Sequence, residues 1–327
     1  MPRKRWMRGS FRLGCQIAVV WLGVGVFPVR SAHAAETPQK VRIVHASRSN
    51  AATPQFLARD RGFYRSENIE IELIQVNPRL AATAVVNGEA SFASAFLSTF
   101  RAILQGFPMK LVFVALKKGP YFIIGRAEFT EIAQLKGKKL GVATIRGADH
   151  LVAEEMLQAK GFNPSQLQAL NIGDAPVRMQ ALISGAVDAI SVSPPHDFML
   201  RRMGYSVLAG PPAVGLPGSG LITSDRLLKE NPILVKGALR AVLRAHKFIF
   251  ENKQDTIRFM IQWLPQPVEV AEHAYEHELK NLTRDGLMTD VEIDALISRL
   301  GDKRRPLDEV RDFAPARQAL KELEGGR

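Results

Sequence analysis

Cysteine is almost absent from this 327-residue chain: Cys15 is the only one. A single cysteine cannot close a disulfide within the chain. Were the first 34 residues removed, no thiolate metal site and no cysteine nucleophile would remain either. Acidic residues are missing from that same stretch, which carries Arg3, Lys4, Arg5, Arg8, Arg12 and Arg30. Those six account for half of the formal charge of +12, leaving 38 basic against 32 acidic residues in the rest. No long Lys/Arg run with interleaved aromatics follows, so a nucleic-acid surface is not expected. Long apolar runs are missing too. Ile17–Phe27 is too short to span a membrane comfortably. With the basic stretch before it and Ala32-His33-Ala34 after it, it reads as a cleavable secretory signal peptide, residues 1–34. Catalytic signatures are also lacking: there is no Gly-x-Ser-x-Gly elbow, no phosphate-binding loop and no His-Glu-x-x-His.

What the chain has is 46% hydrophobic residues, enough for a packed core in two lobes or domains. Leu135–Phe162 shows the organisation best. Leu140–Thr144 is a short apolar run of strand length, Ile145–His150 a turn, and Leu151, Val152, Met156 and Leu157 sit at helical spacing before Gly161. Strand, tight turn and helix would aim unpaired backbone N–H groups above the sheet edge. Arg146 beside them suggests an anion-holding turn; it would otherwise be a solvated turn residue.

The same pattern recurs along the chain. Strands are expected at Val41–Ala46, Ile69–Gln75, Ala90–Ala95 and Leu111–Leu116, with helices over 55–61 and 80–87. In the second half, strands at Leu140–Thr144, Leu167–Ile172 and Val187–Val192 alternate with helices over 151–160 and 177–184. Ser193-Pro194-Pro195 reads as a capped helix start leading into 197–203. Arg61-Gly62-Phe63 answers Lys160-Gly161-Phe162, and Asn87-Gly88-Glu89-Ala90-Ser91 answers Ser184-Gly185-Ala186-Val187-Asp188. Two similar α/β lobes with mostly parallel sheets follow. Tyr121–Arg126 and Leu221–Ser224 are expected as hinge strands. Helices from Asn231-Pro232, Asp255, Val268 and Asp290 are expected to pack on the first lobe. The expected lobes are residues 35–125 with 218–327, and 126–217.

Several segments carry a family resemblance. They are Pro54-Gln55-Phe56-Leu57-Ala58 with Gly62-Phe63-Tyr64, Ile69-Glu70-Ile71-Glu72-Leu73 and Asn87-Gly88-Glu89-Ala90. Leu135-Lys136-Gly137-Lys138-Lys139-Leu140-Gly141-Val142, Gly185-Ala186-Val187-Asp188-Ala189 and Val310-Arg311-Asp312-Phe313-Ala314-Pro315-Ala316 continue the series. In order and spacing the chain resembles periplasmic solute-binding proteins of ABC importers. The group includes nitrate, taurine and alkanesulfonate binders and the thiamine-precursor (NMT1/THI5-like) proteins. One departure is Ser91, where the family usually has an acid; Asp188 keeps it in the second half. The resemblance implies a type II periplasmic-binding-protein fold with a ligand cleft between the lobes. Carried over by position, the cleft would use Ser47, Arg48, Ser49 and Asn50 in the first turn, Phe96 and Ser98 after the third strand, and Tyr121 at the hinge. Thr144, Arg146 and Gly147 would form the anion turn, Ser193 and His196 a further helix start, and Gly220 a close approach of bare backbone.

His273 and His277 lie four apart on an expected helix, a spacing that suits a metal, but the flanking Glu272, Glu276 and Glu278 suit a solvated face. No cofactor and no metal are expected. The expectation is a monomeric, periplasmic, non-enzymatic binder that delivers a small organic anion, of sulfonate or carboxylate type, to an inner-membrane permease. A thiamine-pyrimidine-like heterocycle is the alternative ligand, and a periplasmic enzyme or sensor on the same fold the further alternative. The related pyrimidine-forming enzymes use a cysteine-rich cluster, which this chain does not have.

Overall fold

Two five-stranded sheets carry the structure, a computed structural model that describes residues 37–211, 216–300 and 305–326. The expected signal peptide, with Cys15, lies outside them. Both sheets belong to one compact unit that begins at Thr37. The first lobe opens with β1 Gln39–His45, α1 Thr53–Asp60, β2 Ile69–Gln75, α2 Ala81–Asn87, β3 Phe92–Ala93, α3 Phe96–Leu104 and β4 Met109–Leu116. The second comprises β5 Phe122–Gly125, β6 Lys139–Val142, α4 Ala148–Ala159, β7 Gln168–Asn171, α5 Ala175–Ile183, β8 Ala189–Val192, α6 His196–Arg202 and β9 Ser206–Ala209. The chain then returns through β10 Ser219–Ser224 to the first sheet. It continues through α7 Asp225–Glu230, α8 Pro232–Glu251, α9 Lys253–Trp263, α10 Val268–His277, α11 Asp290–Leu300, α12 Leu307–Val310 and α13 Ala314–Glu324.

The strand orders are β2-β1-β3-β10-β4 and β7-β6-β8-β5-β9. In each sheet four strands run one way and one runs against them, β10 in the first and β5 in the second. Strand β4 is buried along almost its whole length, as a strand covered on both faces must be. On one face α8 lays Val235, Leu239 and Val242 against the core of Val41, Ile43, Phe92 and Leu221. Asn231 caps α8 by accepting from Leu234 N at 3.1 Å, and Pro232 occupies its first turn.

The internal repeat is visible in the backbone. Phe63 N donates to Ala58 O at 2.8 Å after Gly62, and Phe162 N to Leu157 O at 3.0 Å after Gly161. Both glycines hold φ near +74°, the left-handed region that ends a helix cleanly. Ser91 and Asp188 also correspond. Arg42 N donates to Ser91 Oγ at 3.3 Å, and Lys139 N to Asp188 Oδ2 at 2.9 Å. The position ties a loop to β1 in the first lobe and to β6 in the second, through a hydroxyl in one and a carboxylate in the other.

The structure departs from the sequence reading at the hinge. Tyr121–Arg126 and Leu221–Ser224 supply strands, but each lies inside a sheet rather than between sheets. Phe122–Gly125 belongs to the second sheet, so the chain crosses first over residues 117–121 and again between β9 and β10. The crossings touch: Gly119 N donates to Leu216 O at 2.8 Å, and a Cβ on Gly218 would lie 2.7 Å from the Gly119 Cα. Only glycine lets the two strands of the hinge pass this closely. No helix among the described residues is long and apolar enough to cross a membrane.

Candidate functional site

The carboxyl ends of the parallel strands in both sheets face one cleft of about 580 Å³, counting the solvent at its mouth. The first lobe contributes Ala46, Ser47 and Ser49 from the loop after β1. It also contributes Ser94 after β3 and the first turn of α3, Phe96, Leu97 and Ser98. Tyr121 and Gly218 come from the crossings. The second lobe contributes Thr144, the start of α4 from Gly147 to Asp149, Arg178 of α5, and Ser193. Six Ser and Thr residues put hydroxyls on the wall, and Phe96, Leu97, Pro78, several alanines and the Tyr121 ring form a somewhat larger apolar part.

Two helices begin at this void, one from each lobe. Neither α3, whose cap is Ala95, nor α4, whose cap is Gly147, has a side-chain cap. The amides of Phe96, Leu97 and Ser98, and those of Ala148, Asp149 and His150, therefore have no acceptor within their helices. Their partial positive charges point at the same space.

A buried ion pair lies beside them. Arg178 is 3% exposed; its Nε donates to Ser191 O at 3.0 Å, and its Nη1 donates to Gly173 O. Nη2 lies 3.9 Å from Asp149 Oδ2, and that carboxylate also accepts from Ala143 N at 2.5 Å. The guanidinium is thus fixed by backbone carbonyls and largely offset by Asp149. Burial pushes the Tyr121 phenol up from its ordinary value, and the Asp149 carboxylate adds to the effect.

The lobes are latched across the mouth. Asp174, at the start of α5, accepts from Ser47 Oγ at 2.9 Å, from Arg48 N at 3.2 Å and from Arg48 Nε at 3.2 Å. Burial opposes ionisation of Asp174, but hydrogen bonds from Gln75, Ser47 and Arg48 outweigh it and hold the carboxyl below its ordinary value. The latch therefore contributes fully above the unfolded value of about 4 and is lost as pH falls through the lower folded one. Asp174→Ala is expected to weaken ligand affinity about tenfold, ~1.4 kcal/mol, through faster dissociation. Stopped-flow release measured beside Asp174→Asn, which keeps an acceptor for the helix start, checks this.

Further contacts join α6 to α10. Arg202 pairs with Glu269, the Phe198 ring stacks on His273 at 4.6 Å, and His273 Nε2 lies 3.4 Å from Asp197 Oδ2. Burial pushes Asp197 up to about 6 and His273 down to about 4, so the His273 imidazole favours its neutral form. His277 packs its ring 4.3 Å from that of His273, but no group of three or more metal-ligating side chains gathers among the described residues.

Of the residues expected in the cleft, Ser47, Ser49, Phe96, Ser98, Tyr121, Thr144, Gly147 and Ser193 line it. Ser193 does so from a loop and caps nothing by its side chain; its carbonyl accepts from His196 N, and α6 begins behind Pro195. Five do not line it. Arg146 is exposed at φ +65°, its N–H donating to His150 Nδ1 at 3.0 Å. Arg48 serves the latch. Asn50 is buried and exchanges hydrogen bonds with Gln266. His196 is buried, and desolvation pushes it down to about 4, keeping the imidazole neutral. The missing side chain of Gly220 makes room for protein, not ligand: a Cβ there would lie 2.4 Å from Phe113 O and 2.7 Å from the Phe96 ring. Asp149, Arg178 and Ser94 line the cleft unforeseen. Arg178 had one legible signal, its place in the first turn of a helix that follows a parallel strand.

A family model described as NMT1/THI5 like matches residues 49–256. The riboflavin-binding protein RibY of Chloroflexus aurantiacus is 24% identical over 226 residues, 65% of this chain and 63% of the relative. The chain thus spans under two thirds of that relative's length. The yeast (Saccharomyces cerevisiae) 4-amino-5-hydroxymethyl-2-methylpyrimidine phosphate synthase THI13 is 23% identical over 235 residues, 65% of this chain and 67% of the relative. Among solved structures, the alkanesulfonate-binding protein SsuA from Xanthomonas axonopodis pv. citri, bound to MOPS, aligns with a TM-score of 0.69. It shows 20% identity and covers 86% of this chain and 99% of that one. The fold is that of the periplasmic binding proteins.

Proposed function

Because this chain belongs to the NMT1/THI5-like family, we propose that it is the extracytoplasmic solute-binding component of an ABC import system. It captures a small organic anion of sulfonate or carboxylate type between its lobes and delivers it to an inner-membrane permease. The observation that carries the anion reading is the convergence of two uncapped helix starts, α3 and α4, on one hydroxyl-lined void. Arg178 adds little net charge because Asp149 sits beside it, so amides and hydroxyls do the recognition. The lobe boundaries, export by a signal peptide and the monomeric state belong to the same reading.

A second reading comes from the relatives named as a riboflavin-binding protein and as a pyrimidine phosphate synthase. On it, the ligand is a heterocycle held against Phe96 and Tyr121. The synthase activity has no support in the outer part of the cleft, whose lining residues include no cysteine, lysine or histidine side chain.

A melting screen of the purified chain tests the reading against alkanesulfonates, carboxylates, nitrate and aminopyrimidines. A ligand at about a hundred times its dissociation constant raises stability by roughly 2.7 kcal/mol. Stabilisation confined to anions supports the proposal. Stabilisation by neutral heterocycles alone moves recognition to the aromatic wall.

A further inference from the structure

The inner end of the cleft holds a carboxylate that the anion reading does not use. Glu278 follows α10, its backbone fixed by N–H donation to Ala274 O and by acceptance from Asn281 N, both at 2.9 Å. Its side chain is buried, the residue being 1% exposed, and neither carboxylate oxygen has a hydrogen-bond partner. It lines the cleft's inner part together with Ser47, Ser49, Ser94, Tyr121 and Ser193, residues that mostly also line the outer part. Two adjoining voids that share this wall therefore hold the amides of α3 and α4 in one and an unpartnered carboxylate in the other.

A buried acid without a donor costs several kcal/mol, and burial in the active region of a binding protein has a ready explanation when the donor arrives with the ligand. The neighbouring groups do not supply one. Asp197 of α6 is another buried acid, with Arg201 Nη2 3.6 Å from its Oδ2, and its charge adds to burial in raising Glu278. His273 lies nearer Asp197, and Lys117, from the crossing after β4, is paired with Glu292. Tyr121, His277, Lys118 and His45, whose imidazole burial holds below its ordinary value, complete the titratable groups lining the voids around it.

Resting on the solute-binding reading, we propose that the ligand is bipolar. Its acceptor end meets the starts of α3 and α4, and its other end carries an amine whose N–H groups donate to Glu278. An amine-bearing organic acid fits both ends of the cleft; a plain anion leaves Glu278 unpaired.

Paired titrations of the full chain test this: 2-aminoethanesulfonate against ethanesulfonate, β-alanine against propionate, and 4-amino-2-methylpyrimidine against 2,4-dimethylpyrimidine. The amine of each acid pair is expected to bind at least tenfold tighter, and Glu278→Gln to abolish the preference while the variant melts no lower than the parent. A readout that needs no variant is pH: burial holds Glu278 well above the ordinary carboxylate range, so the preference grows as pH rises and the carboxylate ionises, with no such growth for the plain acids. Equal affinities within the acid pairs, or a preference that survives Glu278→Gln, overturns the inference and leaves the anion reading standing. Glu278-dependent binding of the aminopyrimidine with no binding of either acid keeps the donor end and removes the anion reading. A panel in which nothing binds removes both.

Discussion

Arg178→Ala is expected to cost about 3–5 kcal/mol of stability, the range for breaking a buried ion pair by removing one partner. The cost has two sources. Asp149, 4% exposed, would lose the cation beside it, and the carbonyls of Ser191 and Gly173 would lose their donor. Urea denaturation reads the change, with an unaltered slope showing that the unfolded state is the same. The double variant Asp149→Asn with Arg178→Ala is expected to recover more than 1 kcal/mol, since the carboxylate left without its cation is then gone. If Arg178→Ala costs under 1 kcal/mol, the pair does not hold the cleft wall in place.

Gly147→Leu is the second large effect, and it falls on binding. Gly147 has φ −78°, which any residue adopts, so its smallness is not a matter of backbone conformation. A Cβ there would stand 2.8 Å from Thr144 O and 3.2 Å from Thr144 Cβ, and a leucine would extend into the void in front of the α4 amides. The expected result is at least a hundredfold loss of affinity for whichever compound stabilises the parent most. The accompanying loss of stability is expected to be about 1–3 kcal/mol from overpacking. Calorimetric titration beside a melt separates the two. Retained affinity would place the ligand elsewhere than the start of α4.

These residues also show where the sequence was legible. The repeat could be read because helix ends demand glycine: Gly62 and Gly161, then Gly88 and Gly185, all hold positive φ at matching places. Helix α3 was not expected, although its first turn forms part of the cleft. The segment Phe-Leu-Ser-Thr-Phe-Arg-Ala-Ile-Leu does carry a helical amphipathic period, so it was legible, although every residue of it except Ser98 is buried. β5 was read as a hinge because a strand running against its neighbours gives no pattern different from a connecting strand. Arg146 stood out for its place in a strand-to-helix turn. Which way that turn directs the side chain depends on a left-handed residue and a bond to His150, neither of which is written in local sequence. Glu278 was even less accessible, because it reaches the cleft from a helix far along the chain.

The central claim is that the cleft holds one ligand and releases it unchanged. It is tested most directly by incubating the chain with the compound that raises its melting point most, removing the excess, and identifying what denaturation releases by mass spectrometry. The account predicts one equivalent of the intact compound per chain, lost in Gly147→Leu. A chemically altered product released in multiple turnovers, or an equivalent that persists in Gly147→Leu, would contradict it.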